Sequence, residues 1–163
     1  MAYFSYFPTI SYDVRGKKNN IRLDVITNVL VRNRKKLDVT DRAVFEMYFI
    51  QDGDRPDTLA HQVYGDSTLH WIIMYANYIT DPYYDWPLTY FDLQKFTAKK
   101  YTDINGDHHY EDADGYEVDS DAAGAVTISN SLYEERKNDA KRTIQIIKPE
   151  YVPQIIKEFK ELI

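Results

Sequence analysis

At 163 residues and 44% hydrophobic content, the chain suits one domain, or one core carrying an arm and an insertion. Its net charge of −6 and pI near 5.2 argue against general nucleic-acid binding, because phosphate contacts need Lys and Arg. The lack of cysteine removes disulfides, thiol catalysis and thiolate metal sites, and fits a reducing cytoplasm. No apolar run approaches the roughly 20 residues that span a bilayer. The start, MAYFSYFPTISYD, lacks the basic opening and continuous apolar segment of a signal peptide. The aromatic share is unusual, 15% with 15 tyrosines. Tyrosine joins a large contact area to a polar end, so the total leans toward contact surfaces, while any single Tyr fits a core equally well.

In chain order, residues 3–12 are aromatic and extended in character, with Tyr3, Phe4, Tyr6, Phe7, Ile10 and Tyr12. Pro8 keeps this stretch from being a central strand. A start this apolar must be tied down, on its own domain or on a partner. After the polar turn RGKKNN, residues 23–30 mix β-branched residues with the 3–4 spacing of Ile26, Val29 and Leu30. Helix and strand are both open, and the spacing favours a helix. The basic residues Arg32, Arg34, Lys35 and Lys36 that follow read as a solvated face or as salt bridges to an acidic partner.

VFEMYFI, 44–50, is the clearest strand, ending at the turn Asp52–Gly53. Two short helices follow. The first carries Pro56 in its opening turn and Leu59, Val63 and Tyr64 as an apolar stripe. Gly65 ends it, and Asp66 or Ser67 caps the second. That second helix places Leu69, Ile72, Ile73 and Ala76 on one side and Trp71, Met74 and Tyr75 on the other, so it is covered on more than one face and sits at the centre of the fold.

The ordered set from Arg55 to Trp86 carries a resemblance. Arg55–Pro56, Leu59–Ala60, Tyr64–Gly65, Leu69, Trp71, Asn77, Asp81–Pro82–Tyr83–Tyr84 and Trp86 resemble the central motif of a baseplate wedge family of contractile-tailed bacteriophages, the member built on a LysM-like core. The flanks FSYFPTISYD and RTIQIIKPEYVPQIIKEFKELI look like the family's ends, and the match covers roughly half of the chain. The resemblance implies a strand that closes the unit by pairing antiparallel with 44–50. Thr143–Ile147 is the candidate, since nothing else downstream is as continuous. It also shifts the aromatic start toward an arm laid on a neighbour.

Residues 89–142 then form a long insertion. A short helix fits around Phe91, Leu93 and Phe96. From Thr102 to Glu135 there is no Lys or Arg. The turn pairs Asn105–Gly106 and Asp114–Gly115, with Tyr101, Tyr110 and Tyr116 between polar residues, predict an exposed β-hairpin or meander. A flexible stretch around Ala122–Ala125 and a short polar helix over Ser131–Lys141 follow. The chain closes on an amphipathic helix with Pro153 in its first turn and Val152, Ile155, Ile156, Phe159, Leu162 and Ile163 on one face.

No nucleophile elbow, P-loop or dinucleotide fingerprint occurs. His61 and His70 match no zinc spacing and read as surface or interface residues. His108 and His109 are adjacent, which on a strand sends them to opposite faces and disfavours a shared metal. The run 111–119 fails the calcium-loop template and reads as a solvated acidic loop. Asp52 and Asp54 imitate a glycosidase pair, but their place in a turn fits helix capping better.

The expected fold is α+β: a LysM-like β-α-α-β core, an N-terminal arm, an inserted acidic segment and a C-terminal helix. The expected divisions are 1–40, 41–88, 89–142 and 143–163. The function implied by the resemblance is that of a non-enzymatic structural protein of the tail baseplate wedge, assembled in the host cytoplasm. It would hold wedge proteins together and bridge adjacent wedges. The alternative is a LysM-type peptidoglycan-binding module, disfavoured by the extra Arg55–Pro56 and by the insertion after Asn77. No cofactor, metal, nucleic acid, membrane or small-molecule substrate is expected. The partners are other wedge proteins and neighbouring wedges, met by Tyr3, Phe4, Tyr6, Phe7, Tyr83, Tyr84 and Trp86. Leu59, Val63, Leu69, Trp71, Ile72 and Ile73 are expected in the core.

Overall fold

Residues 3–13, 15, 23–28 and 42–162 are described by a computed structural model, and the fold is α+β. A 3-10 turn at Tyr3–Tyr6 leads into strand β1, Thr9–Asp13, which pairs antiparallel with β2, Leu23–Thr27. The helix expected over 23–30 is therefore a strand as far as Thr27. Val25, Ile26 and Thr27 keep their side-chain freedom better in a strand, and residues 9–13 supply a hydrogen-bonding partner that helical spacing cannot reveal. Val29, Leu30 and the basic run Arg32, Arg34, Lys35 and Lys36 lie outside the described residues.

The central elements fall where the sequence predicts them. A 3-10 turn at Arg42–Val44 precedes β3, Phe45–Phe49. Helix α1, Pro56–Tyr64, starts where the Arg55 N–H donates to the Thr58 hydroxyl at 3.1 Å. It ends at Gly65, whose φ of 73° is the left-handed conformation that a side chain would strain. The Asp66 carboxylate accepts from Thr68 N at 2.8 Å, opening the 3-10 turn Ser67–Leu69 that runs into α2, His70–Ala76. Short α3, Pro82–Asp85, and α4, Tyr90–Lys100, follow. Then come β4, Asp107–Glu111, β5, Glu117–Val118, β6, Val126–Ser129, and α5, Asn130–Asp139. The chain returns through β7, Thr143–Ile147, a 3-10 turn at Pro149–Tyr151 and α6, Val152–Leu162.

β3 and β7 form a two-stranded sheet. Lys148 N donates to Val44 O at 2.9 Å and Ile50 N to Arg142 O at 2.8 Å, so the strands run antiparallel, the pairing expected of 44–50 and 143–147. The chain divides into two compact units, the first drawn from Met1–Glu46, Arg55–Thr80 and Gln145–Ile163, the second from Met47–Asp54 and Asp81–Ile144.

In the first unit, α2 and α6 build the core. Leu69, Trp71, Ile72 and Ala76 meet Val152, Ile155 and Phe159, with Phe7 and Ile147 completing the cluster. Leu59 and Ile73 are also fully buried, while Val63 is half-buried. The Asn77 side chain closes this unit: its amide donates to Ile73 O at 2.8 Å and Gln145 O at 2.7 Å, and its carbonyl accepts from Gln145 N at 2.7 Å. In the second unit, β4 is the centre of a three-stranded antiparallel sheet with β5 and β6 at its edges. Ile128, Leu93, Trp86, Ile50 and Ile144 are its buried apolar residues. The stretch expected to be flexible around Ala122–Ala125 is a pair of linked turns, Ala122 N to Asp119 O at 3.0 Å and Ala125 N to Ala122 O at 3.1 Å.

Candidate interaction site

The aromatic start packs at home. Tyr3 stands 5.5 Å from the Trp71 ring and 5.6 Å from Phe159, Tyr6 5.8 Å from Trp71, and Phe7 6.2 Å from Phe159. These tilted and edge-on contacts are favourable aromatic geometries. They explain why residues 3–7 are not a free arm: Trp71 and Phe159, 4.7 Å apart, are too large for two short helices to enclose alone. Burial raises the Tyr3 and Tyr6 phenols above their ordinary range. Phe4 alone of the four stays outside, 58% exposed. Beside it lies a groove of about 720 Å³, walled by Tyr3, Phe4, Trp71, Met74, Tyr75 and Ile79. Among the described residues the Trp71 indole N–H is buried without a hydrogen-bond partner. Burial pushes the Tyr64 phenol far up.

In the second unit, DPYYDW is a single helical turn. Asp81 caps it by accepting from Tyr83 N at 2.9 Å, and Asp85 reaches back to Asp81 N at 3.0 Å. The turn holds Tyr83 and Tyr84 outward, 85% and 76% exposed. Trp86, expected beside them at the surface, is buried instead. Its indole N–H donates to Asp54 O at 2.9 Å, so a hydrogen bond and the apolar interior of the unit both hold it inward. Sequence reasoning missed that α4 exposes aromatics as well. Leu93 and Thr97 point inward, which leaves Tyr90 and Phe91 outward, and Lys95 Nζ sits 3.9 Å from the Phe91 ring centre. The signal was present, since Phe91 lies off the Leu93–Thr97 stripe.

The groups that imitate catalytic chemistry are engaged structurally. Asp54 accepts from Gln51 N and from the Tyr48 hydroxyl, and Asp52 accepts from Tyr90 N, so Asp52 serves the start of α4, not that of α1. Asp112 accepts from Asp114 N and Tyr116 N and builds the turn between β4 and β5. His108 and His109 do not diverge as adjacent strand residues should. The β4–β6 register shifts between Asp107 and His109, and this irregularity brings the two Nδ1 atoms within 2.8 Å. His108 stacks on Tyr133 at 3.7 Å, and His109 Nε2 meets Glu111, which also pairs with Arg136. Among the described residues no cluster of His, Cys, Asp and Glu is arranged to hold a metal ion. Buried Glu134 takes Lys100 Nζ at 2.6 Å and the Tyr101 hydroxyl at 2.9 Å.

The surfaces left available are thus apolar and aromatic, and comparison with known proteins gives them a context. The family model described as "Base plate wedge protein 53" matches residues 2–123. The chain belongs to that family. The match takes in the whole Arg55–Trp86 motif and both aromatic surfaces. Among individual proteins, baseplate wedge protein gp53 of Enterobacteria phage T4 is 30% identical over 108 residues, 64% of this chain and 54% of that protein. The chain therefore spans about half the length of the relative it matches. β7 and α6 lie beyond the part that the family model covers.

Proposed function

We propose that the chain is a structural, non-catalytic component of a contractile tail's baseplate wedge, located in the virion after assembly in the host cytoplasm. In this role it holds other wedge proteins together and bridges adjacent wedges. The observation that carries the reading is the family match over residues 2–123. Tyr83 and Tyr84 support it, since a capped turn fixes two large exposed aromatics in place, which is the composition of interface hot spots. Phe4 and its groove offer a second such surface in the first unit.

This reading needs no cofactor or small-molecule substrate, and the acidic balance disfavours nucleic acid. No helix among the described residues is long and apolar enough to cross a membrane. We read β3, α1, α2 and β7 as the LysM-like core, on the strength of their order and of the antiparallel β3–β7 pair. The glycan-binding alternative gains no support from either comparison. The test is a tail assembly reaction from which this chain is withheld and then restored. Wedges should fail to close into complete baseplates without it. Complete, stable baseplates formed in its absence would overturn the proposal.

A further inference from the structure

The segment that presents Tyr83 and Tyr84 is held by hydrogen bonds at every second residue. The Tyr84 carbonyl accepts from Lys141 Nζ. The Trp86 indole N–H donates to Asp54 O at 2.9 Å. The Leu88 N–H donates to Asn138 Oδ1 at 2.7 Å, and the Leu88 carbonyl accepts from Asn138 Nδ2 at 3.0 Å. The Tyr90 N–H donates to Asp52 Oδ1 at 2.9 Å, and Arg142 Nη2 lies 3.5 Å from that same oxygen. Three of these four ties lead to one stretch, 138–142, where α5 ends and the chain turns toward β7. That stretch is itself held. Lys141 N donates to Asn138 O at 3.1 Å and Arg142 N to Asp139 O at 2.9 Å. The Arg142 guanidinium also donates to Asp139 Oδ1 at 2.8 Å and to Ile50 O at 3.2 Å.

The three ties differ in kind. Asn138 is buried and the Arg142 side chain nearly so, and both serve the interior of the unit. Lys141 is half-buried, and it reaches the backbone of the aromatic turn itself. That turn is only Pro82–Asp85, and a single helical turn is unstable without outside support. Its last carbonyls have no following turn to supply a donor. We infer that Lys141 is a positioning residue for the Tyr83–Tyr84 surface. Its ammonium fixes the turn before a partner arrives, so association does not have to order it. The inference rests on the interface reading of these two tyrosines. Lys141 lies beyond residues 2–123, so the matched family motif does not contain it.

Full-length Lys141→Met keeps the apolar stem of the side chain and removes the donor. Its circular dichroism spectrum should match the parent's. The Tyr84 and Asp85 amides close the turn on Asp81 O at 3.1 Å and 2.8 Å, and their hydrogen exchange should become faster. The Leu88 amide, held by Asn138, should keep its rate. Ordering a side chain on association costs roughly two- to tenfold in affinity. Lys141→Met should therefore lose to the parent by about that factor when both are offered to assembling wedges in equal amounts. Lys141→Arg, which restores a donor, should recover both exchange and incorporation. Added to Tyr83→Ser with Tyr84→Ser, Lys141→Met should weaken incorporation no further, whereas a general folding defect would add to the loss. Parent-like exchange at Tyr84 and Asp85 in Lys141→Met would overturn the inference. Parent-like incorporation of Lys141→Met beside a failing double tyrosine variant would do the same. If the double tyrosine variant competes as well as the parent, the interface reading falls instead, and the exchange rates alone then decide whether Lys141 fixes the turn.

Discussion

Two asparagines do the same work in the two units. Asn77 takes both backbone groups of Gln145, and Asn138, 4% exposed, takes both of Leu88: Leu88 N donates to its carbonyl at 2.7 Å and its amide donates to Leu88 O at 3.0 Å. Each side chain satisfies both polar groups of one backbone residue. Removing Asn138 leaves the part-buried N–H and C=O of Leu88 unpaired, which costs about 1–3 kcal/mol, whereas the Gln145 groups are exposed and water can replace Asn77 there. Asn138→Ala should therefore lower unfolding free energy by about 1–3 kcal/mol in urea titrations and Asn77→Ala by less, and Asn138→Asp should not restore it, because the donor is lost. Glu134 gives a pH signature. Burial alone would raise its carboxyl, but the Lys100 ammonium and Tyr101 hydroxyl outweigh burial and hold it below the usual carboxylate range. A lowered folded pKa means stability that is present above the unfolded value and lost as pH falls through the folded one. Thermal melts from neutral pH downward should therefore show a steeper acid loss in the parent than in Glu134→Gln. Equal slopes would remove Glu134 from the account.

At the scale of elements, the second helix carries the first unit. Trp71 is 5% exposed and in ring contact with Tyr3, Tyr6, Tyr75 and Phe159. Trp71→Ala should cost about 3–5 kcal/mol, as cavity-forming aromatic truncations do. A loss well under that range would show that the rings close over the space. Helix α1, strands β3 and β7 and the 70–76 helix were legible because local signals agree there: proline at the start, glycine at φ 73°, apolar runs of strand length. The β2 strand was not, because its alternation competes with a helical spacing that only a partner strand resolves. The His108–His109 contact was hidden for a related reason. A bulge breaks the period-2 rule, and nothing in the residues around it announces one. Trp86 was misplaced because a Trp in a Tyr-rich turn reads as surface, whereas its inward pull comes from Asp54, far back in the chain.

At the scale of the whole molecule, the question is which aromatics serve the fold and which serve assembly. Tyr3, Tyr6 and Phe7 cover Trp71 and Phe159, so deletion of residues 2–10 removes part of a core as well as Thr9 and Ile10 at the start of strand β1. That variant should melt at lower temperature, and its failure to assemble would say nothing about contacts. Tyr83 and Tyr84 are different. Neither is buried, and Asp81 and Asp85 hold their turn through backbone bonds that side-chain changes leave intact. Tyr83→Ser with Tyr84→Ser should leave circular dichroism and melting close to the parent. Burying an exposed aromatic at an interface contributes about 1.5–3 kcal/mol by area. Losing one such term weakens association by roughly tenfold or more. The double variant should therefore be outcompeted by parent chain when both are offered to assembling wedges in equal amounts. Equal incorporation would strip these tyrosines of the interface role and move the contact to Phe4 and its groove. A Phe4→Ser variant in the same competition then decides between the two surfaces.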